Sequence, residues 1–332
     1  MCSSDLDHLR DSIAVAMSGG VDSSVAAWLL QQQGEQTVGV TMRLFTPEEL
    51  APGQGERCHI LEDIQDARAV AAQLGIPHHA LDLSGPFRER VMEPFVRAYE
   101  QGRTPNPCVT CNRTIKFGAL LEAAGQLGCG RLATGHYART ERDAGSGRVL
   151  LKRAVHPEKD QSYVLWSLSQ AQLERVCFPL GGLSKEEIRA IAEEQGLVSA
   201  RRRDSQDICF VPDGDYAAFL CHHTGRTYPP GPFCDPEGRV LGVHEGIIHY
   251  TVGQRRGLKV SSNQGRLYVR EVCPQENRVV LSDNQALFHR GLTGKELNLI
   301  PTGRLDRPIR VQARIRYRMA PQPALLEQTG PD

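Results

Sequence analysis

The sequence of 332 residues is long enough for two or three domains with sizeable cores. Its 39 lysines and arginines balance 39 aspartates and glutamates, so nucleic-acid binding would have to rest on local basic patches. The segment 1–11 is polar and no apolar run approaches a membrane span, which argues against a signal peptide and favours a cytoplasmic protein without a membrane partner. Ten scattered cysteines argue against a disulfide scaffold and favour reactive or metal-bound thiols.

The first half of the sequence alternates strand and helix patterns. Strands are predicted over 13–17, 37–44, 78–83 and 131–137, and helices over 21–33, 62–74, 86–100 and 115–127. This alternation predicts a doubly wound α/β fold with a parallel sheet, whose ligand crevice lies at the carboxyl ends of the strands. Ser18, Met42 and Gly135 each lie at such an end.

A short turn of small residues joins the first strand to the first helix. Gly19 and Gly20 let backbone N–H groups approach an anion, and the unpaired amides of the first helical turn favour negative charge. Neither the Lys-Ser/Thr pair of a Walker P-loop nor a Gly-x-Gly-x-x-Gly motif is present. The turn therefore predicts a phosphate site of another kind, with an ordinary glycine-rich turn as the alternative.

The second half of the sequence changes character twice. Residues 169–200 have a helical pattern, in which Ser184-Lys-Glu-Glu187 is typical of a capping box, and short β-like runs follow. Residues 311–318 alternate in polarity and predict a strand, while 145–147 predict a hairpin turn. We expect a catalytic domain over 1–204, a small β-rich domain over 205–285 and a C-terminal β domain over 286–332.

The segment Thr104-Pro-Asn-Pro-Cys-Val-Thr-Cys-Asn112 contains a Cys-x-x-Cys pair. Its prolines favour an extended chain that enters a helix near Ile115, and the helix dipole with Arg113 and Lys116 would favour thiolate at the cysteines. The spacing alone is compatible with a redox pair, half of a zinc site, or part of an iron–sulfur site.

Cys209 is the third cysteine of interest. It lies between Ile208 and Phe210, a setting that is more often that of a buried core thiol than of a catalyst. The basic run 201–203 precedes it, where a phosphate backbone could pass.

Six motifs in order give these segments a joint interpretation. They are Ala16-Met-Ser-Gly-Gly-Val-Asp-Ser23, Pro105-Asn-Pro-Cys-Val-Thr-Cys-Asn112, Ala133-Thr-Gly-His-Tyr-Ala138, Lys159-Asp-Gln-Ser-Tyr163, Asp204 to Phe210, and Tyr250-Thr-Val-Gly-Gln-Arg-Arg-Gly-Leu258. The first resembles the PP-loop of the ATP pyrophosphatase superfamily, whose members split ATP between the α- and β-phosphates. Together the six resemble the tRNA-specific 2-thiouridylase family over nearly the whole chain.

The resemblance implies thiolation at C2 of the wobble uridine in tRNAs for Lys, Glu and Gln. It implies that Cys209 carries a persulfide received from a cysteine desulfurase or sulfur-relay protein, and that Cys111 is the nucleophile that attacks the Cys209 sulfur. ATP, with Mg²⁺, would be held by Ala16, Met17, Ser18, Gly19, Gly20, Val21, Asp22, Ser23, Met42 and Gly135. The target base and the tRNA would be contacted by Asn106, Pro107, Cys108, His136, Lys159, Asp160, Gln161, Arg316 and Tyr317.

The sequence departs from that family in two places. Cys108 stands where many relatives have Asp, so Cys108, Cys111 and Cys209 could instead hold a [4Fe–4S] cluster with one open iron. The chain stops at Asp332, where the family's C-terminal β-barrel would be incomplete.

Two other functions compete with tRNA thiolation. A PP-loop ligase acting on a small molecule needs no sulfur-handling thiols, so the three cysteines argue against it. A non-catalytic tRNA- or metal-binding module needs no intact PP-loop, so the segment 16–23 argues against that.

Overall fold

The computed structural model describes residues 12–53, 60–200, 202, 208–261, 265–317 and 319–330. The strands are β1 (Ile13–Ala16), β2 (Thr37–Arg43), β3 (His78–Asp82), β4 (Arg131–Thr134), β5 (Ala138–Arg142), β6 (Val149–Arg153), β7 (Val176–Cys177), β8 (Gly231–Cys234), β9 (Val240–His244), β10 (Tyr268–Cys273), β11 (Arg278–Ser282), β12 (Ile309–Ala313) and β13 (Gln322–Leu326).

The helices alternate with these strands in the first half of the chain. They are α1 (Val21–Gln32), α2 (Ile60–Leu74), α3 (Ser84–Phe87), a π-helical segment (Arg88–Met92), α4 (Glu93–Glu100), α5 (Pro107–Cys111), a second π-helical segment (Asn112–Ala119), α6 (Leu120–Gln126), α7 (Gln170–Leu173), α8 (Lys185–Glu194) and α9 (Tyr216–Thr224). None of the helices within the described ranges has the length and apolar character needed to cross a bilayer.

A five-stranded parallel sheet organises the first half of the chain. Its strand order is β3-β2-β1-β4-β7, so β1 pairs with both β2 and β4, in registers that place Ile13 opposite Thr37 and Arg131. The predicted doubly wound parallel sheet is thus confirmed. The fifth strand was not predicted, because a two-residue strand inside a helical pattern carries no periodicity of its own.

Both faces of the central strand are covered. Ile13 and Val15 pack in a cluster with residues of α1 and α2, whereas Ala14 packs in a second cluster with Phe87 of α3. Ile13, Ala14 and Val15 are all fully buried. An apolar strand without polar alternation is what a parallel sheet covered by helices on two faces requires.

The helix that carries the Cys-x-x-Cys pair begins earlier than its sequence pattern predicts. We expected it to start near Ile115, but α5 begins at Pro107, a favoured first helical residue. The side-chain Oδ1 of Asn106 accepts a hydrogen bond from the N–H of Cys108 at 3.1 Å and caps the helix. Cys108 and Cys111 therefore lie within the helix and not in an extended arm before it.

The β-rich second half contains a four-stranded sheet in the order β10-β11-β8-β9. The hairpin of β5 and β6 encloses the turn predicted at 145–147. The domain boundaries at 204 and 285 remain predictions.

The strand predicted over 311–318 is wrong beyond Ala313. β12 ends at that residue and pairs antiparallel with β13. The chain then turns, and Met319 N–H donates to the carbonyl of Arg316 at 3.1 Å. The guanidinium of Arg314 lies 4.9 Å from the ring centroid of Tyr163, within range of a cation–π attraction. The alternation of polar and apolar residues along 311–318 gives no sign of this contact. The incomplete barrel expected over 286–332 stays a prediction.

The carboxyl end of β4 approaches the start of α1 at Gly135. A Cβ placed on Gly135 would lie 2.9 Å from the backbone N of Ser23 and 3.0 Å from the carbonyl carbon of Asp22. These distances are below ordinary carbon contacts and involve backbone that cannot rotate away. Only glycine permits this approach.

We expect the substitution Gly135→Ala to lower the free energy of unfolding by about 1–3 kcal/mol, because the added methyl group must push the two segments apart. Urea unfolding measures the change. Gly182→Ala is the matched control, since no heavy atom lies within 4 Å of its added Cβ and its φ lies outside the left-handed region. Equal unfolding midpoints for the two variants would contradict the tight approach.

Candidate active site

The loop between β1 and α1 has the backbone of an anion site. Gly19 has a φ of +71°, and a Cβ there would lie 2.7 Å from the carbonyl oxygen of Asp63. Gly20 is the N-cap of α1, and no side chain caps this twelve-residue helix. The amide groups of the first turn therefore face the loop with the positive end of the helix dipole behind them.

Two serine hydroxyl groups brace this loop. The Oγ of Ser23 accepts from the N–H of Ser18 at 3.1 Å and donates to the carbonyl of Gly20 at 3.1 Å. The Oγ of Ser24 donates to the same carbonyl at 2.9 Å. The loop is thus ordered by its own hydrogen bonds.

Asp22, in the first turn of α1, has two partners that sequence reasoning missed. The hydroxyl of Tyr137 donates to its Oδ1 at 2.7 Å, and the ammonium of Lys185 pairs with the same oxygen at 2.7 Å. Lys185 is 7% exposed. The capping box that begins at Ser184 identifies a helix start in the sequence, but no sequence signal names a partner 163 residues away.

Three further residues predicted to hold ATP lie at the same edge of the sheet. Met17 is buried at the end of β1, and its carbonyl accepts from the hydroxyl of Thr41 at 2.8 Å. Ala16 and Met42 are half-buried near the ends of β1 and β2. The residues predicted to hold ATP therefore follow the carboxyl ends of β1, β2 and β4 or lie in the first turn of α1, and their contact with ATP remains a prediction.

The three cysteines of interest interact with one another. Burial raises the pKa of the Cys111 thiol to about 11; the ammonium of Lys116 lowers it and the Cys108 thiol raises it. Burial likewise raises the pKa of Cys209, as do Cys111 and Cys108, while Lys116 and a hydrogen bond from the N–H of Phe210 lower it. Cys209 as a residue is exposed, so a reagent reaches it although surrounding atoms disfavour its thiolate.

The π-helical segment explains why Lys116 faces the thiols. In a π-helix residue i+5 lies above residue i, so the wide turn after Cys111 rotates Lys116 towards that cysteine. The Nε2 of Gln172 donates to the carbonyls of Arg113 and Phe117 at 2.9 and 2.7 Å. These two hydrogen bonds use carbonyl groups that the wide turn leaves available as acceptors.

His136 connects the phosphate loop with the thiols. Its Nδ1 lies 2.7 Å from the hydroxyl of Thr134, and its ring packs on Phe117 and Phe178. Burial lowers the pKa of this imidazole well below its ordinary value, and Lys116 lowers it further, so the ring is neutral at pH 7. The ring is buried, which leaves little of it for the tRNA contact that we predicted.

The end of β4 therefore joins the phosphate loop to the thiols. Gly135 contacts Asp22 and Ser23, and the next residue, His136, senses the ammonium of Lys116. Lys116 in turn acts on Cys111 and Cys209. The phosphate loop and the thiols are thus linked through Gly135, His136 and Lys116.

Residues predicted to contact tRNA from two distant segments lie together. The ring centroids of Tyr163 and Tyr317 are 5.6 Å apart, and the Tyr317 hydroxyl lies 3.4 Å from the carbonyl of Asp160. Arg316 and Tyr317 are exposed. Gln161 is half-buried, with its Oε1 accepting from the N–H of Tyr137 at 2.9 Å.

Asp160 has a structural role instead of an exposed one. Its side chain is 3% exposed and accepts from Arg153 Nε at 3.1 Å, Ala154 N–H at 3.0 Å, and the N–H and hydroxyl of Ser162 at 3.2 and 2.9 Å. The carboxylate thus organises the loop that presents Lys159. An RNA contact predicted for Asp160 would have to use its backbone.

The basic run before Cys209 does not form the expected phosphate track at its central residue. Arg202 pairs with the carboxylates of Asp63 and Asp66 on α2. Arg201 and Arg203 lie outside the described residues.

The phosphate loop offers oxygen donors of the kind that Mg²⁺ prefers, whereas the described residues offer no group of three metal-ligating thiols. The carboxylate of Asp22 and the hydroxyls of Ser18 and Ser23 are the oxygen donors that Mg²⁺ prefers. Across the described ranges, no three Cys, His, Asp or Glu side chains come together as a group able to hold a metal ion. The alternative of a [4Fe–4S] cluster on Cys108, Cys111 and Cys209 is therefore not supported, because a cluster needs converging thiolates.

Fold and site together define a PP-loop protein with neighbouring thiols. A family model described as a tRNA methyl transferase HUP domain matches residues 11–213, and one described as a tRNA methyl transferase PRC-barrel domain matches 217–283. The tRNA-specific 2-thiouridylase MnmA of Clostridioides difficile strain 630 is 43% identical over 324 residues, covering 98% of this chain and 89% of its own. The tRNA-specific 2-thiouridylase MnmA 2 of Thermoanaerobacter sp. strain X514 is 46% identical over 321 residues, covering 96% and 88%. This chain belongs to the tRNA-specific 2-thiouridylase family.

Replacing Lys116 by Met should slow alkylation of Cys111 at pH 8 by roughly 3- to 10-fold, because loss of the ammonium raises the thiol pKa further above about 11. In the unmodified protein the rate should rise roughly tenfold per pH unit until that pKa is reached. Peptide mass spectrometry after timed iodoacetamide treatment measures both.

Lys152→Met is the control for this experiment, since Lys152 pairs with Glu141 on the β5–β6 hairpin. An unchanged Cys111 rate in Lys116→Met, or an equal change in the control, would show that Lys116 does not act on this thiol.

Proposed function

We propose that this protein uses ATP to thiolate C2 of a uridine in tRNA, the wobble uridine being the target. The observation that carries the proposal is the junction at Gly135 and His136, which joins the phosphate loop to the thiols of Cys111 and Cys209. An ATP-splitting loop alone is compatible with many ligases. The thiols in the same crevice supply the group that replaces the activated oxygen.

The first step activates the uridine. The uracil O2 attacks the α-phosphorus of ATP, an O2–P bond forms, and the bond to the β-phosphate breaks with release of pyrophosphate. The amides of Gly19 to Ser23, braced by the Ser23 hydroxyl, would stabilise charge on the departing phosphates. Asp22 would hold Mg²⁺, which when bound neutralises phosphate charge.

The second step transfers sulfur. The terminal sulfur of a Cys209 persulfide attacks C2, and the Cys111 thiolate attacks the inner sulfur of Cys209. The S–S bond of the persulfide breaks, AMP leaves C2, and the products are 2-thiouridine and a Cys111–Cys209 disulfide. The sulfane sulfur is reduced while the two thiols are oxidised, so an external dithiol must regenerate the protein.

Exposure of the thiols supports this division of roles. Cys209 is exposed and can accept sulfur from a cysteine desulfurase or a relay protein, whereas Cys111 is 8% exposed and is sheltered from other oxidants. Cys108 is exposed beside Asn106, where the target base would lie once splayed from the anticodon loop. With tRNA as substrate, we place the reaction in the cytoplasm.

The tRNA surface would include Lys159, Arg316 and Tyr317. Both Arg316 and Tyr317 are exposed; the Tyr317 hydroxyl lies 3.4 Å from the carbonyl of Asp160, beside Lys159, while an Nη of Arg316 donates to the carbonyl of Val252 at 2.6 Å. Cations and an aromatic ring would thus be available to one RNA strand. Such pairing suits single-stranded RNA, whose phosphates seek cations and whose bases stack on rings.

Methyl transfer is the reaction named in the descriptions of the two matching family models. Methyl transfer from a sulfonium donor needs neither an ATP-splitting loop nor interacting thiols. The Lys116-centred arrangement of Cys111 and Cys209 favours thiolation.

Purified protein incubated with ATP, Mg²⁺, a persulfide donor and unmodified tRNA should yield 2-thiouridine, detected by nucleoside mass spectrometry. Cys209→Ser and Cys111→Ser should each reduce the product at least about 100-fold while ATP affinity stays within about twofold, because serine supplies no sulfur chemistry.

Cys221→Ser, in a half-buried position on α9, is the control and should retain activity. AMP and pyrophosphate without thiolated RNA would refute the proposal, as would methylated nucleoside as the product. Full activity of Cys111→Ser would refute the two-thiol scheme.

A further inference from the structure

Lys185 lies in the interior with its ammonium at the phosphate loop. Its side chain is 9% exposed, and its Nζ lies 2.7 Å from Oδ1 of Asp22, whose side chain is 30% exposed. Asp22 is in the first turn of α1, so the ammonium lies close to the backbone N–H groups of that turn. Nothing in the steps above uses this lysine.

The position of Lys185 is fixed by the fold. Ser184 caps α8, with its hydroxyl accepting from the N–H of Glu187 at 3.2 Å and the Glu187 carboxylate accepting from the N–H of Ser184 at 2.7 Å. Ile188 and Ala192 of α8 are buried in one cluster with Val21 and Val25 of α1. The first residue of α8 is therefore directed at the first turn of α1.

Stability does not account for this ion pair. Taking an ammonium out of water is costly, and a buried ion pair is often no better than apolar side chains of the same volume. The hydroxyl of Tyr137 already satisfies Asp22 Oδ1 at 2.7 Å. A buried cation beside an anion site would instead stabilise the anion once it is bound.

We propose that Lys185 binds the β- and γ-phosphates of ATP and stays with them as pyrophosphate leaves. The inference deepens the proposed function, since it assigns the leaving-group subsite of the same ATP site. A compact ammonium is a good partner for non-bridging phosphate oxygens, and its charge offsets the repulsion between Asp22 and a polyphosphate. Asp22 of α1 faces the ammonium, and the Tyr137 hydroxyl from the segment after β4 donates to the same carboxylate oxygen.

Lys185→Met tests the assignment through binding alone. Calorimetry should give a roughly 10- to 100-fold loss of affinity for pyrophosphate and for the non-hydrolysable analogue α,β-methylene-ATP, the range expected for one charge-assisted contact. Affinity for AMP, which lacks the leaving phosphates, should change less than about twofold. Lys185→Arg should recover part of the loss, because it keeps the charge.

Lys259→Met is the matched control, since Lys259 also pairs with a carboxylate, that of Glu245, at 2.5 Å but away from the loop. Its affinities should equal those of the unmodified protein. An equal loss for AMP and pyrophosphate in Lys185→Met, or no loss for pyrophosphate, would overturn the assignment.

The double variant Asp22→Asn/Lys185→Met removes both charges, leaves no unpaired buried ion and guards against misfolding of the single variant. If Lys185 binds the phosphates directly, the affinity for pyrophosphate should stay low in the double variant. Recovery to the unmodified value would show that Lys185 only neutralises Asp22, and the assignment would fail. These assays involve no sulfur transfer, so a protein that binds pyrophosphate as described but makes no 2-thiouridine would refute the proposed function alone.

Discussion

The close approach of β4 to the start of α1 is the constraint on which the site depends. Because β4 pairs directly with β1, its carboxyl end must pass the phosphate loop, and Gly135 makes the approach short enough to touch Asp22 and Ser23. The same strand end carries His136 towards Lys116. The phosphate loop and the thiols, which could occupy separate parts of a large protein, are thereby linked through two consecutive residues.

Two lysines set the electrostatics of these groups, one at the thiols and one at the phosphate loop. Lys116, on a π-helical turn, opposes the effect of burial on the thiols of Cys111 and Cys209. Lys185, at the start of α8, balances Asp22 beside the phosphate loop. Each comes from an element whose local geometry directs it inward, and both give positive charge to a site whose substrates are polyanions.

The sequence was most informative where chemistry and periodicity are local. Apolar runs gave the parallel strands, and the Ser-Gly-Gly turn gave the anion site, because both depend on neighbours a few residues apart. The start of α5 was placed too late in the sequence. Asn106 caps the helix and Pro107 is its first residue, but the prolines had been interpreted as holding the chain extended. Partners far apart in the chain, such as Asp22 with Lys185 and Asp160 with Arg314, leave no local pattern. The strand predicted to continue through 318 failed for the same reason, since contacts with Tyr163 determine the path of the chain there.

Activation and sulfur transfer are expected to act on one bound uridine, between the phosphate loop and the thiols. The most direct measurement is a single turnover of protein carrying a Cys209 persulfide with excess tRNA and ATP and no reductant. The account predicts equal amounts of 2-thiouridine, AMP, pyrophosphate and Cys111–Cys209 disulfide, the last detected as a cross-linked peptide by non-reducing mass spectrometry. Thiolated tRNA formed in full without that disulfide, or AMP formed without thiolated tRNA, would contradict it.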